Sequence, residues 1–169
     1  PKYRILVIED DRIARLTLQE QLEDANFEVT AFETAEKALD AVRGGQFDVA
    51  VTDVRLPGVS GIEFLQAATR VDPQLLVIMI TGFGTVGDAV DAMRKGAVDY
   101  LCKPVSADEI LVRIERALAF RQADNDRQRL QREVEQQFSY HNIIGRSQQM
   151  QQMFQLIDRI KDIDSTVLI

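Results

Sequence analysis

The chain has 169 residues, 46% of them apolar and 28% charged, which is enough apolar material for a packed core and rules against disorder throughout. Its 20 Lys and Arg against 27 Asp and Glu leave a net charge of −7, which disfavours direct binding to a phosphate backbone. A single cysteine, Cys102, excludes an internal disulfide framework, and the longest apolar run, Leu75–Ile80, is far short of the roughly 20 residues of a membrane helix.

The start, PKYRILVIEDD, turns acidic where a signal peptide would need a small-residue cleavage site. A cytoplasmic chain with no membrane partner is therefore expected. Short apolar runs then alternate with longer amphipathic stretches. The runs are Tyr3–Ile8, Phe27–Ala31, Phe47–Val51, Leu75–Ile80 and Ala97–Leu101, β-branched or aromatic-rich and of strand length. Helix-period segments lie between them, at 12–25, 34–43, 61–70 and 85–95. Thr34 reads as a plain N-cap, and Gly44-Gly45 as the stop of the second helix. Strand and helix alternate five times, which predicts an α/β fold with a parallel sheet covered on both faces. Ligands of such sheets bind outside the carboxyl ends of the strands, so functional residues should follow each apolar run.

After Ser106, the residues Ile110, Leu111, Ile114 and Leu118 form one helix face against the sheet. The helical pattern runs on without Gly or Pro to about Gln137, becoming polar and charged from Phe120. A weak stripe survives in it: Phe120, Ala123, Arg127, Leu130, Val134 and Gln137. The plainer reading is a solvated helix that frays, but a polar helix of this length has no core of its own, so the stripe predicts coiled-coil pairing. HNIIG, from His141 to Gly145, breaks the helix. Ser147–Ile163 reads as another amphipathic helix, and Thr166–Ile169 as the start of a strand, which suggests the beginning of a second domain.

The residues just past the apolar runs carry the chemistry. Glu9, Asp10 and Asp11 follow the first run, Asp53 the third, Thr81 the fourth and Lys103-Pro104 the fifth. A parallel sheet brings these ends to one edge. Clustered carboxylates repel unless a cation is present, and an oxygen-only set without His or Cys favours Mg2+ or Mn2+ over zinc. With the ion held by part of the set, Asp53 is left to attack phosphorus, while Lys103 and Thr81 neutralise phosphoryl oxygens. Each residue alone has a plainer reading; Asp11, for one, suits a helix N-cap. The segment GFGTVG (Gly82, Gly84, Gly87) matches a dinucleotide-binding pattern, but it sits in the fourth unit and lacks the partnering acid, so a mobile loop is the better reading.

Residues 1–120 resemble the receiver domain of bacterial two-component response regulators, through ILVIEDD, TDVRLPGVSG, ITGFG and DYLCKP in order. The resemblance implies a flavodoxin-like five-stranded parallel sheet of order 2-1-3-4-5. It implies Asp53 as phosphoacceptor, and Glu9 and Asp10 as the acid pair at Mg2+, Asp10 binding directly and Glu9 through water. The backbone carbonyl of Arg55 matches the third protein ligand. Thr81, Lys103 and Tyr100 match the phosphoryl-stabilising and switch positions, and Lys103–Pro104 a bond that is cis in the family. The pair is Glu-Asp where many members have Asp-Asp. Residues 139–169 resemble the lead-in to the AAA+ ATPase domain of sigma-54-dependent activators, after a helical linker at 121–138. Their Walker A loop is absent, so no ATPase activity is expected of this stretch.

Together these imply a phosphorylation switch rather than an enzyme, with at most weak autophosphatase activity. A histidine kinase would phosphorylate Asp53, and the added charge would draw in Thr81 and Lys103, with Tyr100 following. Homodimer pairing would change in turn. Contact with sigma-54 RNA polymerase and DNA would run only through domains absent here. Two rivals stand beside this reading. An aspartate-nucleophile phosphatase needs a second Asp where Arg55 stands, and a constitutive dimerisation module would have no use for Thr81 and Lys103.

Overall fold

The computed structural model describes residues 2–45, 47–82, 86–137, 139–140, 143–144 and 147–160. Five strands, β1 (Arg4–Ile8), β2 (Glu28–Phe32), β3 (Val49–Asp53), β4 (Leu76–Thr81) and β5 (Asp99–Cys102), form one parallel sheet of order β2-β1-β3-β4-β5. Helices α1 (Arg12–Asp24), α2 (Ala35–Gly44), α3 (Gly61–Val71) and α4 (Val86–Arg94) connect them, and α5 (Ala107–Gln137) follows β5. This is the parallel α/β sheet that the residue pattern predicts, in the flavodoxin-like order that the resemblance implies.

Alternate residues of each strand face opposite cores. Leu6, Ile8, Ala50, Val77 and Met79 pack with Ala38 and Val42 of α2, Phe64 and Leu65 of α3, and Ala92 of α4. Ile5, Val7, Val49, Val51, Ile78 and Ile80 pack with Leu22 of α1 and Ile110, Ile114 and Leu118 of α5. With apolar side chains on both faces, β1, β3 and β4 read as continuous apolar runs. Each fully buried Leu, Ile or Phe contributes about 1.5–3 kcal/mol.

Several boundaries differ from the sequence reading. β3 lies two residues later than the run Phe47–Val51, because Thr52 and Asp53 continue the ladder opposite Met79 and Ile80. Asp53 and Thr81 are thus the last residues of their strands rather than the first beyond them. Thr34 occupies the N-cap of α2, but its side chain makes no capping bond. α2 ends at Gly44, and Gly45 is extended (φ −143°), so the stop needs no left-handed glycine. That role appears at α1, where Asn26 takes φ 70° while Asn26 N–H and Phe27 N–H close on the carbonyls of Glu23 and Leu22.

The contact pattern divides the chain into two units, Pro1–Arg121 and Gln122–Ile169. Arg121 closes the first. Its guanidinium donates to Asp48 Oδ1 at 2.5 Å and to the Asp48 and Gln74 carbonyls, which ties α5 to the amino-terminal edge of the sheet. In the second unit β6 (Ser139–Tyr140) and β7 (Ile143–Ile144) pair antiparallel, and α6 (Gln148–Ile160) follows. α5 ends at Gln137, and of the HNIIG segment only Ile143 and Ile144, which form β7, are among the described residues. The strand expected at Thr166–Ile169 lies outside the described residues, as do the side chains of Val134 and Gln137 in the α5 stripe. Leu130 of that stripe is 55% exposed in the single chain. No described helix is long and apolar enough to cross a membrane.

Candidate functional site

The carboxyl ends of β1, β3, β4 and β5 meet at one rim of the sheet. β1 ends at Ile8, opposite Thr52 of β3, and Asp53 sits beside Ile80 of β4. Thr81 pairs with Cys102 of β5. These registers bring Glu9, Asp53, Thr81 and Lys103 together from four separate strands.

Glu9 and Asp53 are 5% and 8% exposed, which is rare for carboxylates without a partner. The partner is Lys103, whose Nζ donates to Glu9 Oε2 at 2.7 Å and to Asp53 Oδ2 at 2.5 Å. The other Asp53 oxygen, Oδ1, accepts Arg55 N–H at 2.8 Å. Lys103 N–H donates to the carbonyl of Thr81 at 2.7 Å, so the lysine backbone is itself fixed to β4. Thr81 is buried, the Arg55 side chain is exposed, and the Lys103–Pro104 bond is cis. Asp10 is exposed, yet one carboxylate oxygen each of Glu9, Asp10 and Asp53 lies within 4.8 Å of the others. Asp11 caps α1 through Ala14 N–H at 2.7 Å, as its plainer reading predicts.

The loop from β3 to α3 is held by residues the sequence reading passed over. Gly61 opens α3 against the end of β3, where a Cβ would sit 2.0 Å from the Asp53 carbonyl oxygen. Ser60 and Glu63 form a capping box, whose S-x-x-E spacing was present as a signal. Glu36 of α2 accepts Val59 N–H at 3.0 Å, beside Gly58 at φ +78°. Gly82 and Gly87 of the GFGTVG segment flank residues 83–85, which lie outside the described residues.

One ammonium shared by two buried carboxylates leaves surplus negative charge. Burial pushes the Glu9 carboxyl above its usual value, outweighing the hydrogen bond and charge of Lys103, and Asp53 pushes it the same way. Burial draws Lys103 down, but its hydrogen bonds to Asp53 and Glu9 and their charges hold it above the ordinary lysine value. Such a rim is short of positive charge, and its all-oxygen donor set fits Mg2+ or Mn2+. Tyr100 lies on β5 opposite Met79, with its hydroxyl buried and no partner at hydrogen-bonding geometry among the described residues. Burial raises its phenol more than the neighbouring Thr81 hydroxyl lowers it.

The raised Glu9 predicts a measurable linkage. A carboxyl whose folded pKa exceeds its unfolded value of 4.5 adds stability below that value and loses it as pH rises through the folded pKa. Glu9→Gln removes this titration. In metal-free buffer its urea midpoint relative to the unsubstituted chain should climb as pH rises above about 4.5. A flat difference would show that burying the Glu9 charge costs nothing.

Residues 5–115 match the family described as the response regulator receiver domain. The chain belongs to the response regulator receiver domain family. It is 32% identical over 165 residues to the C4-dicarboxylate transport transcriptional regulatory protein DctD of Rhizobium meliloti, covering 98% of this chain and 36% of that protein. It is 33% identical over 165 residues to the DNA-binding transcriptional regulator NtrC of Escherichia coli K12, covering 98% and 34%. The chain thus spans about a third of these curated relatives, and both alignments run well past the receiver. Among solved structures, the beryllofluoride-activated NtrC4 receiver domain dimer aligns with a TM-score of 0.67 at 32% identity, over 70% of this chain and 98% of that one. This receiver therefore carries its acids, lysine and hydroxyl on the sheet edge where α/β folds of this order bind ligands.

Proposed function

We propose that this receiver is the phosphoacceptor switch of a two-component regulator that controls transcription. The observation that carries the reading is the Asp53 carboxylate, buried at the end of β3 and paired with Lys103 beside Glu9 and Asp10. An Asp53 oxygen forms a bond to the phosphorus of a kinase phosphohistidine, and the P–N bond breaks with the imidazole as leaving group. Asp10, Asp53, the Arg55 carbonyl and, through water, Glu9 would hold Mg2+. The ion supplies charge neutralisation between nucleophile and phosphoryl group. Lys103 releases Asp53 and takes up a phosphoryl oxygen, and the Thr81 hydroxyl donates to another. Tyr100, already inward, packs behind Thr81. The chain needs no activity of its own beyond slow loss of the phosphoryl group.

The proposed organisation is a receiver over 1–120, a helical linker over 121–138 and the beginning of a sigma-54-activator ATPase domain over 139–169. The alignments with DctD and NtrC, which continue past residue 115, support that last part. Contact with sigma-54 polymerase and DNA then belongs to further domains, in the cytoplasm. Two observations support homodimerisation. The similar NtrC4 receiver domain is a dimer in its beryllofluoride-activated form, and Val90 and Met93 on α4, Val98 in the turn before β5 and Phe120 on α5 are exposed here. Sedimentation velocity with and without Mg2+ and beryllofluoride, a phosphoryl mimic, tests the switch. A change in oligomeric state, lost on adding EDTA, is expected. Identical profiles over a range of concentrations would instead fit a constitutive dimerisation module.

A further inference from the structure

Arg15 sits on α1, outside the set of acids, lysine and hydroxyl, yet its side chain turns back to the loop that carries the acid pair. Its Nη1 donates to the Glu9 carbonyl at 2.6 Å and to the Asp10 carbonyl at 3.1 Å. Around it the loop is tied at three further points. Glu9 N–H donates to the Phe32 carbonyl at 3.1 Å, Asp11 N–H approaches Glu9 Oε1 at 3.4 Å, and Asp11 Oδ1 accepts Ala14 N–H. Fixing the carbonyls of residues 9 and 10 fixes both peptide planes. The Cα–Cβ directions of both acids follow from those planes, and so does the direction in which each carboxylate is offered. Asp10 depends on this most, because it is exposed and no core packing orients it.

We propose that Arg15 is a positioning residue for the acid pair, holding Glu9 and Asp10 in the geometry that receives a divalent cation. The proposal rests on the reading of Glu9, Asp10 and Asp53 as a cation site. Charge and geometry make opposite demands here. A guanidinium beside the acids repels a cation, so a role through charge alone means that removing Arg15 tightens cation binding. A positioning role means that removal weakens it, as loss of outer-shell partners does at metal sites generally.

The test is Mn2+ binding to the full chain, read from the free-ion electron paramagnetic resonance signal without phosphorylation. Arg15→Ala is expected to bind Mn2+ about 10-fold more weakly. Arg15→Lys keeps the charge but not the planar fork, and falls between Arg15→Ala and the unsubstituted chain. At saturating Mg2+ the rate of labelling by acetyl phosphate recovers to that of the unsubstituted chain, so the deficit lies in the metal concentration needed and not in the maximal rate. Mn2+ binding by folded Arg15→Ala as tight as that of the unsubstituted chain, or tighter, overturns the proposal. Should circular dichroism find Arg15→Ala unfolded, Arg15→Lys decides by the same criterion. Failure of the unsubstituted chain to bind Mn2+ overturns the cation-site reading itself.

Discussion

Asp53→Asn is expected to cut phosphoryl incorporation from acetyl phosphate by at least about 100-fold, some 2.7 kcal/mol in barrier, while the chain stays folded. Asparagine keeps the shape of aspartate and one carbonyl-type oxygen. It can still accept the Arg55 N–H that now bonds Oδ1 at 2.8 Å. What it lacks is the anionic oxygen that faces Lys103 at 2.5 Å, the only nucleophile the proposal assigns. Folding should not suffer, because Lys103 keeps its bond to Glu9 and one of two crowded buried charges is gone. Intact-mass spectrometry after incubation with acetyl phosphate and Mg2+ reads the result. A persisting single adduct would move the acceptor to another carboxylate of the rim, Asp10 being the exposed one.

Gly61→Ala should destabilise the receiver by about 3 kcal/mol and slow labelling of Asp53. From propensity alone the sign would be opposite, since Ala is about 1 kcal/mol better than Gly inside a helix. The packing reverses it. An added Cβ would stand 2.0 Å from the carbonyl oxygen of Asp53 and 2.9 Å from its carbon, both backbone atoms that no rotamer change can move. Gly61 N–H also donates to the Val54 carbonyl at 3.1 Å, so helix and strand cannot part without losing that bond. The relief available is displacement of the backbone that carries Asp53, the proposed phosphoacceptor. Urea unfolding gives the stability change, and acetyl phosphate labelling gives the cost at the site. A variant as stable as the unsubstituted chain would mean that α3 can slide away from β3 freely.

Much of this was legible from the residues alone, because it depends on local pattern. Apolar runs of five or six residues alternating with helix-period segments determine a parallel α/β sheet, since a strand buried on both faces is apolar along most of its length, with polar residues only toward its ends, and its crossovers need helices. The acids, hydroxyl and lysine at successive strand ends then share one rim by topology. The capping box at Ser60 and Glu63 is equally local, its S-x-x-E spacing being visible in the chain. The details that make the rim a site were settled elsewhere. Strand register made Asp53 and Thr81 the last residues of β3 and β4, and it brought Lys103 to Asp53 across a sequence separation of 50 residues. Arg15 returning to the Glu9 and Asp10 carbonyls, Glu36 reaching Val59 N–H, and Gly61 touching the Asp53 backbone leave no periodic trace in the chain. Hydrophobic patterning responds only to which face is buried, whereas hydrogen bonds and close approaches respond to positions within a fraction of an ångström. Those positions exist only once the sheet and its helices have packed.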